Sequence, residues 1–235
     1  VLTEAPPQAF YELYFLLARG YPRTRALELV AARHGLTRRQ RILLNRCTHP
    51  PHVNAETRRK LKPLSQARRL AVDAYNQLAT IYAALTGNPV YRCTDHVTRD
   101  SLLGASRHVT RHAEQLAVIT AATLAAHNVE QVVFVVDAQP SHSAHLAKKL
   151  REAAASYNID AEARLERSAD NAVTQLATEG YTAATSDTVV LQRTTEAADL
   201  AAAAIALAGL ARAVTNIPRL LERQHTRWCQ GGPVA

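Results

Sequence analysis

From Arg69 onward, short apolar runs alternate with segments of helical period, and this alternation restricts the possible folds more than any other feature. The runs are Leu70-Ala71-Val72, Val90 to Cys93, Val132 to Val136, Asp160 to Leu165 and the stretch around Tyr181 to Ala184. Helical periodicity fills most of the intervals, at 76–85, 106–126, 143–156 and 169–178. Strands separated by helices predict an α/β fold with a mainly parallel sheet flanked by helices. An alanine-rich helix over 196–214 and a last helix from Pro218 to Trp228 are expected to pack on that domain. With 47% hydrophobic residues in 235, there is ample material for a buried core.

The first third reads differently. Three helices are expected, Gln8 to Arg19, Arg23 to His34 and Arg38 to Arg46, broken by Gly20 and Gly35 and started by Pro22 and Thr37. Residues 1–69 hold 14 Lys/Arg against 4 Asp/Glu, whereas residues 70–235 hold 14 against 16. The basic excess therefore belongs to the amino-terminal third, which suits contact with a polyanion. Arg38, Arg39, Arg41 and Arg46 surround the apolar seam of the third helix, giving a helix-turn-helix flavour. Arg58, Arg59, Lys60 and Lys62 follow in a proline-containing stretch that reads as an exposed linker. The expected organisation is a small basic all-helical region at 1–46, a linker at 47–68, the α/β domain at 69–195 and carboxy-terminal helices at 196–235.

Several function classes lose support. Leu200 to Ala211 is too short and too weakly apolar to cross a bilayer, which needs roughly 20 residues, and no secretory signal pattern precedes Tyr11 to Leu17. No membrane association and a cytoplasmic location are expected. Cys47, Cys93 and Cys229 are widely spaced and odd in number, so separate reduced thiols are expected. There is no P-loop, Gly-x-Ser-x-Gly elbow or Gly-x-Gly-x-x-Gly motif.

The aspartates carry the chemistry. Asp73, Asp137 and Asp187 all fall just after expected strands, and in an open parallel sheet those ends share the edge where ligands bind. Asp170 begins the helix before the last strand, and Asp95 and Asp100 lie in a polar loop expected to reach the same rim. Each aspartate alone also reads as a turn former or helix cap. Together, crowded carboxylates repel unless a cation lies among them, and an all-oxygen ligand set suits Mg2+ or Mn2+. Asn76, one helical turn past Asp73, is placed to orient a metal-bound water or contact a phosphate.

Asp73-x-x-Asn76, Ser168-Ala169-Asp170-x-x-Val173 and Ala184-Thr185-Ser186-Asp187 occur in an order that resembles the PIN/NYN nuclease superfamily. Residues 19–46 resemble the basic amino-terminal region of an archaeal family in which it precedes a PIN-like domain. The resemblance implies a PIN-like sheet, with Asp73, Asp170 and Asp187 as metal ligands and Asp137 or Asp100 completing the site or positioning water. It departs from the family where Asp73-Ala74-Tyr75-Asn76 replaces Asp-Gly-x-Asn and Thr94-Asp95-His96 replaces Asp-Asp-Gly. A lost glycine matters where backbone approaches a phosphate or takes positive φ.

Two readings follow. One is a metal-dependent endoribonuclease acting on RNA phosphodiesters, with ribosomal RNA and tRNA as the partners considered. The other is a non-catalytic RNA-binding or ribosome-associated factor on a degenerate PIN-like scaffold. A DNA-binding regulator using residues 22–46 ranks below both.

Overall fold

The computed structural model describes residues 4–102 and 104–230. The expected regions 1–46 and 196–235 also include residues 1–3 and 231–235, which lie outside the described residues.

In chain order the helices α1 (Pro7–Ala18), α2 (Arg23–Arg33), α3 (Arg38–Cys47) and α4 (Pro51–Lys60) come first. Then follow β1 (Arg69–Asp73), α5 (Ala74–Leu85), β2 (Val90–Arg92), β3 (Thr98–Asp100), α6 (Ser106–Arg111) and α7 (Ala113–Ala126). The chain continues through β4 (Gln131–Asp137), α8 (Ser143–Ser156), β5 (Asp160–Glu166), α9 (Ala169–Thr178) and β6 (Thr182–Ala184). It ends with α10 (Thr188–Arg193), α11 (Leu200–Leu207), β7 (Thr215–Asn216) and α12 (Ile217–Cys229). No helix among the described residues is long and apolar enough to cross a membrane.

Two compact units divide this chain. The first gathers residues 1–58, 89–101 and 212–235; the second holds 59–88 and 102–211. The second is the expected α/β fold. Its four strands run parallel in the order β5-β4-β1-β6. Leu70, Val72, Val132, Phe134 and Val136 pack with α5, α6, α7, α8 and α11 on one face. Ala71, Val133, Val135 and Ala183 pack with α9 and α10 on the other. Burial on both faces explains why β4 is an unbroken apolar run rather than an alternating one. The chain steps outward from β1 to β4 to β5, then returns to place β6 on the far side of β1. Between β1 and β6 the following helices, α5 and α10, leave for opposite faces. That is a topological switch point, the place where open α/β sheets take their ligands.

The first unit buries Phe10, Leu13, Val30, Leu43, Leu44 and Tyr91 around α1, α2, α3, β2 and α12. Its three-stranded sheet has the order β3-β2-β7, with β2 antiparallel to β3 and parallel to β7.

Six sequence expectations need correction. The run at 90–93 is β2 of the first unit's sheet, because its buried Tyr91 and Cys93 join that unit's core. The polar loop 94–100 contains β3, and its Asp95 is fully buried against Arg99. The stretch 47–68 is no bare linker: α4 occupies its middle, burying Val53, Asn54 and Thr57. The long helix at 106–126 is two helices meeting at His112, and the helix expected at 196–214 is confined to α11. Asp199 caps α11 at its start, and Gly209 at φ +75 follows its end. Finally, Cys47 and Cys93 form a disulfide with Cα atoms 4.4 Å apart, leaving Cys229 as the exposed thiol. The end of α3 and the end of β2 run side by side there, since the Thr94 amide donates to the Cys47 carbonyl.

Candidate functional site

At the carboxyl edge of the second unit's sheet, β1 delivers Asp73 and the neighbouring β6 leads into Thr185-Ser186-Asp187. Asp73 caps α5: its Oδ1 accepts from the Asn76 amide at 3.4 Å, while Oδ2 accepts from the Thr185 hydroxyl at 3.1 Å. Thr185 Oγ1 in turn accepts from the Asp187 amide at 3.2 Å. Asn76 Oδ1 accepts from the Ser186 amide at 2.7 Å and from Gln77 Nε2 at 3.0 Å. Two neighbouring strand ends are thus laced together by a carboxylate, a hydroxyl and an amide. Asn76 is a positioning residue here, its carbonyl committed to holding the Ser186 backbone.

Asp73 is 7% exposed, and burial pushes its pKa up to about 7, against the pull of the Asn76 and Thr185 hydrogen bonds and with help from the carboxylates of Asp170 and Asp187. Asp170, in the first turn of α9, is also raised, first by desolvation and then by Asp187, with Arg193 opposing and Asp137 adding. Asp73 is thus acted on by Asp170 and Asp187, and Asp170 by Asp187 and Asp137, although these acids are far apart in sequence.

Each acid also has a local task. Asp187 Oδ1 caps α10, accepting from the amides of Val189 at 2.7 Å and Val190 at 3.1 Å. Asp137 Oδ1 accepts from the Gln139 amide at 2.9 Å, and its carbonyl accepts from the Ser143 hydroxyl at 2.6 Å. The same Ser143 hydroxyl meets Tyr75 Oη at 2.9 Å, and Tyr75 is raised by burial with Asp137 contributing. The cap and turn roles weighed for single aspartates are thus present at Asp187 and Asp137.

The donor set is all oxygen and carries excess negative charge around a buried carboxylate, which fits a hard divalent cation chemically. Among the described residues no group of three or more His, Cys, Asp or Glu stands in a metal-holding arrangement. Asp100 is a buried residue of β3 in the first unit. Asp95, expected to reach the rim, also belongs to the first unit. Thr185 was legible only as part of a motif, and its hydroxyl proves to be a direct partner of Asp73.

The basic residues divide. Arg38, Arg39, Arg41, Arg58 and Arg59 are exposed, and Arg46 is half-buried. Arg39 pairs with Glu4 at 2.7 Å, and Arg41 Nε donates to the Leu36 carbonyl. Lys60 Nζ donates to the carbonyls of Leu191 and Gln192 at the end of α10, and Lys62 pairs with Glu196. Lys60 and Lys62, expected to grip RNA, thus serve as internal ties of the second unit.

Comparison with known proteins adds families rather than an activity. Residues 64–203 match the family described as "Domain of unknown function (DUF5616)", and residues 7–60 match "Protein of unknown function (DUF434)". The Methanocaldococcus jannaschii protein named "Uncharacterized protein MJ0935" is 29% identical over 182 residues, covering 76% of this chain and 85% of its own length. No solved structure matches significantly. None of these descriptions names a nuclease or any other activity.

Proposed function

We propose that this chain, which belongs to the DUF5616 family, is a metal-dependent endoribonuclease of PIN-like type acting on RNA phosphodiesters in the cytoplasm. The observation that carries the reading is the buried Asp73 at the switch point, tied to Thr185 and acted on by the carboxylates of Asp170 and Asp187. A carboxylate with its pKa near 7 at such an edge has the features of a functional group. Asp73, Asp170 and Asp187 would hold Mg2+ or Mn2+, with Asp137 beside them. When bound, the ion supplies an acidified water and neutralises charge on the phosphate. The Thr185 hydroxyl fixes the orientation of Asp73, and Asn76 keeps the Ser186 backbone against β1. The exposed arginines of α3 would meet the phosphate backbone, so affinity should fall steeply with salt.

The charge distribution favours a second reading. The first unit carries 15 Lys/Arg against 7 Asp/Glu, and the second carries 13 against 13, so the whole net charge of +8 belongs to the first unit. That segregation equally suits a non-catalytic RNA-binding or ribosome-associated factor.

Incubation of the protein with labelled structured RNA and Mn2+ separates the two, using the Asp73→Asn/Asp187→Asn double variant as control. Metal-dependent cleavage lost in the variant supports the enzyme. Equal binding by both proteins with no cleavage by either supports the factor.

A further inference from the structure

Within the first unit, α1 and α12 lie against one another and leave a cavity of about 710 Å³ beside their seam. Tyr11, Tyr14 and Phe15 enter it from α1, and His225 and Trp228 from α12. The rings touch in series. Tyr11 Oη lies 3.0 Å from His225 Nδ1, and Phe15 and Trp228 have centroids 6.4 Å apart. His225 and Trp228 are stacked at the same centroid separation. The Arg19 guanidinium lies 3.4 Å from the Phe15 centroid, and Arg58 and His96 also line the space.

A seam of rings at helical spacing is ordinarily core, and part of this one does pack α1 on α12. Its outer part does not: Trp228 is 52% exposed, and Tyr11, Tyr14 and Phe15 are only half-buried. Arg223 and Arg227 stand exposed on the same helix as Trp228, one turn apart. Glu222 is the one carboxylate among the described lining residues. Open ring faces bordered by guanidinium groups, in the unit that holds the whole net charge, complement a chain with flat bases and a phosphate backbone.

We propose that this groove binds single-stranded nucleic acid, unpaired bases stacking on Trp228 and Tyr14 while Arg19, held over Phe15, and Arg58 meet phosphates. The site takes only its class of partner from the RNA reading above and is independent of the carboxylate edge. A duplex, with its base faces already covered, does not fit it.

Trp228 is the chain's single tryptophan, so intrinsic emission reports on the groove directly. The full-length protein is titrated in EDTA with an oligouridylate of about 10 nucleotides, within the span of one single-strand site. An abasic strand of equal length and a blunt duplex are titrated in parallel. Expected are saturable quenching by oligouridylate, and tighter binding of it than of either control. In anisotropy with a labelled strand, Trp228→Ala and Tyr14→Ala should each bind about 10-fold more weakly, the size of one lost stacking contact, with unchanged melting temperatures. Strand binding without quenching, or equal affinity for the abasic strand or the duplex, overturns the groove while leaving RNA as the partner. A change in emission that tracks self-association in sedimentation, with no strand bound, assigns the groove to a second copy and also overturns it. Absence of any binding to nucleic acid removes both this site and the RNA reading.

Discussion

Asp95 and Asp73 are both aspartates shut away from water, one in each unit, and their surroundings are opposite. Asp95 is fully buried, and Arg99 grips it with two bonds of 2.7 Å, while His49 lies 3.6 Å from the same carboxylate. Burial alone would push Asp95 up, but the Arg99 guanidinium outweighs it and holds the carboxyl below its usual range. Asp73 is nearly as buried, yet what acts on it after burial is two neutral hydrogen-bond donors and two further carboxylates. One acid is neutralised within the fold. The other is left in need of a proton or a cation, and that distinguishes a structural ion pair from a candidate reactive centre.

Removing the compensation at Asp95 should have the largest effect. Arg99→Met leaves a buried, unpaired carboxylate and is expected to cost about 3–5 kcal/mol in urea denaturation at neutral pH. A loss below about 1 kcal/mol would mean that Asp95 is not dependent on its partner.

The converse change at Asp73 should stabilise. Because the folded pKa of Asp73 lies above its unfolded value, the folded state keeps a proton between about pH 4 and 7 that the unfolded state has lost. Stability from this group is therefore present at low pH and is lost as pH rises through about 7. Asp73→Asn should raise stability at pH 8 by on the order of 3 kcal/mol, change little at pH 4, and abolish any metal-dependent cleavage. His49 has the opposite sign. Burial depresses it to about 4, so its contribution is lost as pH falls from about 6.5 towards 4. Hydrogen exchange across pH should thus show the first unit weakening in acid and the second weakening towards neutrality.

The smallest change is Thr185→Val, which removes the hydroxyl that donates to Asp73 and accepts from the Asp187 amide. A loss of about 1 kcal/mol is expected. The upper edge of the Asp73 window should also move to higher pH, because the Thr185 bond lowers that pKa. Urea midpoints measured across pH report both effects, and an unmoved edge would place Thr185 outside the site.

The α/β order was readable because β4 is an unbroken apolar run and α5, α8 and α9 keep an apolar face. That Asp73 and Asp187 stand at the ends of neighbouring strands followed from the shared carboxyl edge of a parallel sheet. Local pattern does not say which sheet a run joins. Val90 to Cys93 reads as a strand, but its place in the first unit rests on distant partners, the core around α1 and α3 and β7 more than a hundred residues later. The bond between Cys47 and Cys93 was hidden for the same reason, since it depends on two distant segments running together. Asp100 reads as part of a polar loop, whereas it is a buried residue of β3 in the first unit. Exposed lysines look alike in a sequence, and only the carbonyls at the end of α10 show what Lys60 does.

The first unit is sewn from three stretches of chain, and its sheet is incomplete without β7 at Thr215–Asn216. During synthesis, every residue of the second unit has been made by 211, while the first must wait for α12 to bring Ile217 into its core. Its apolar helices emerge first and close last, an interval in which a nascent chain is most exposed to aggregation. A fragment cut at residue 60 would preserve that vulnerable stage rather than a domain.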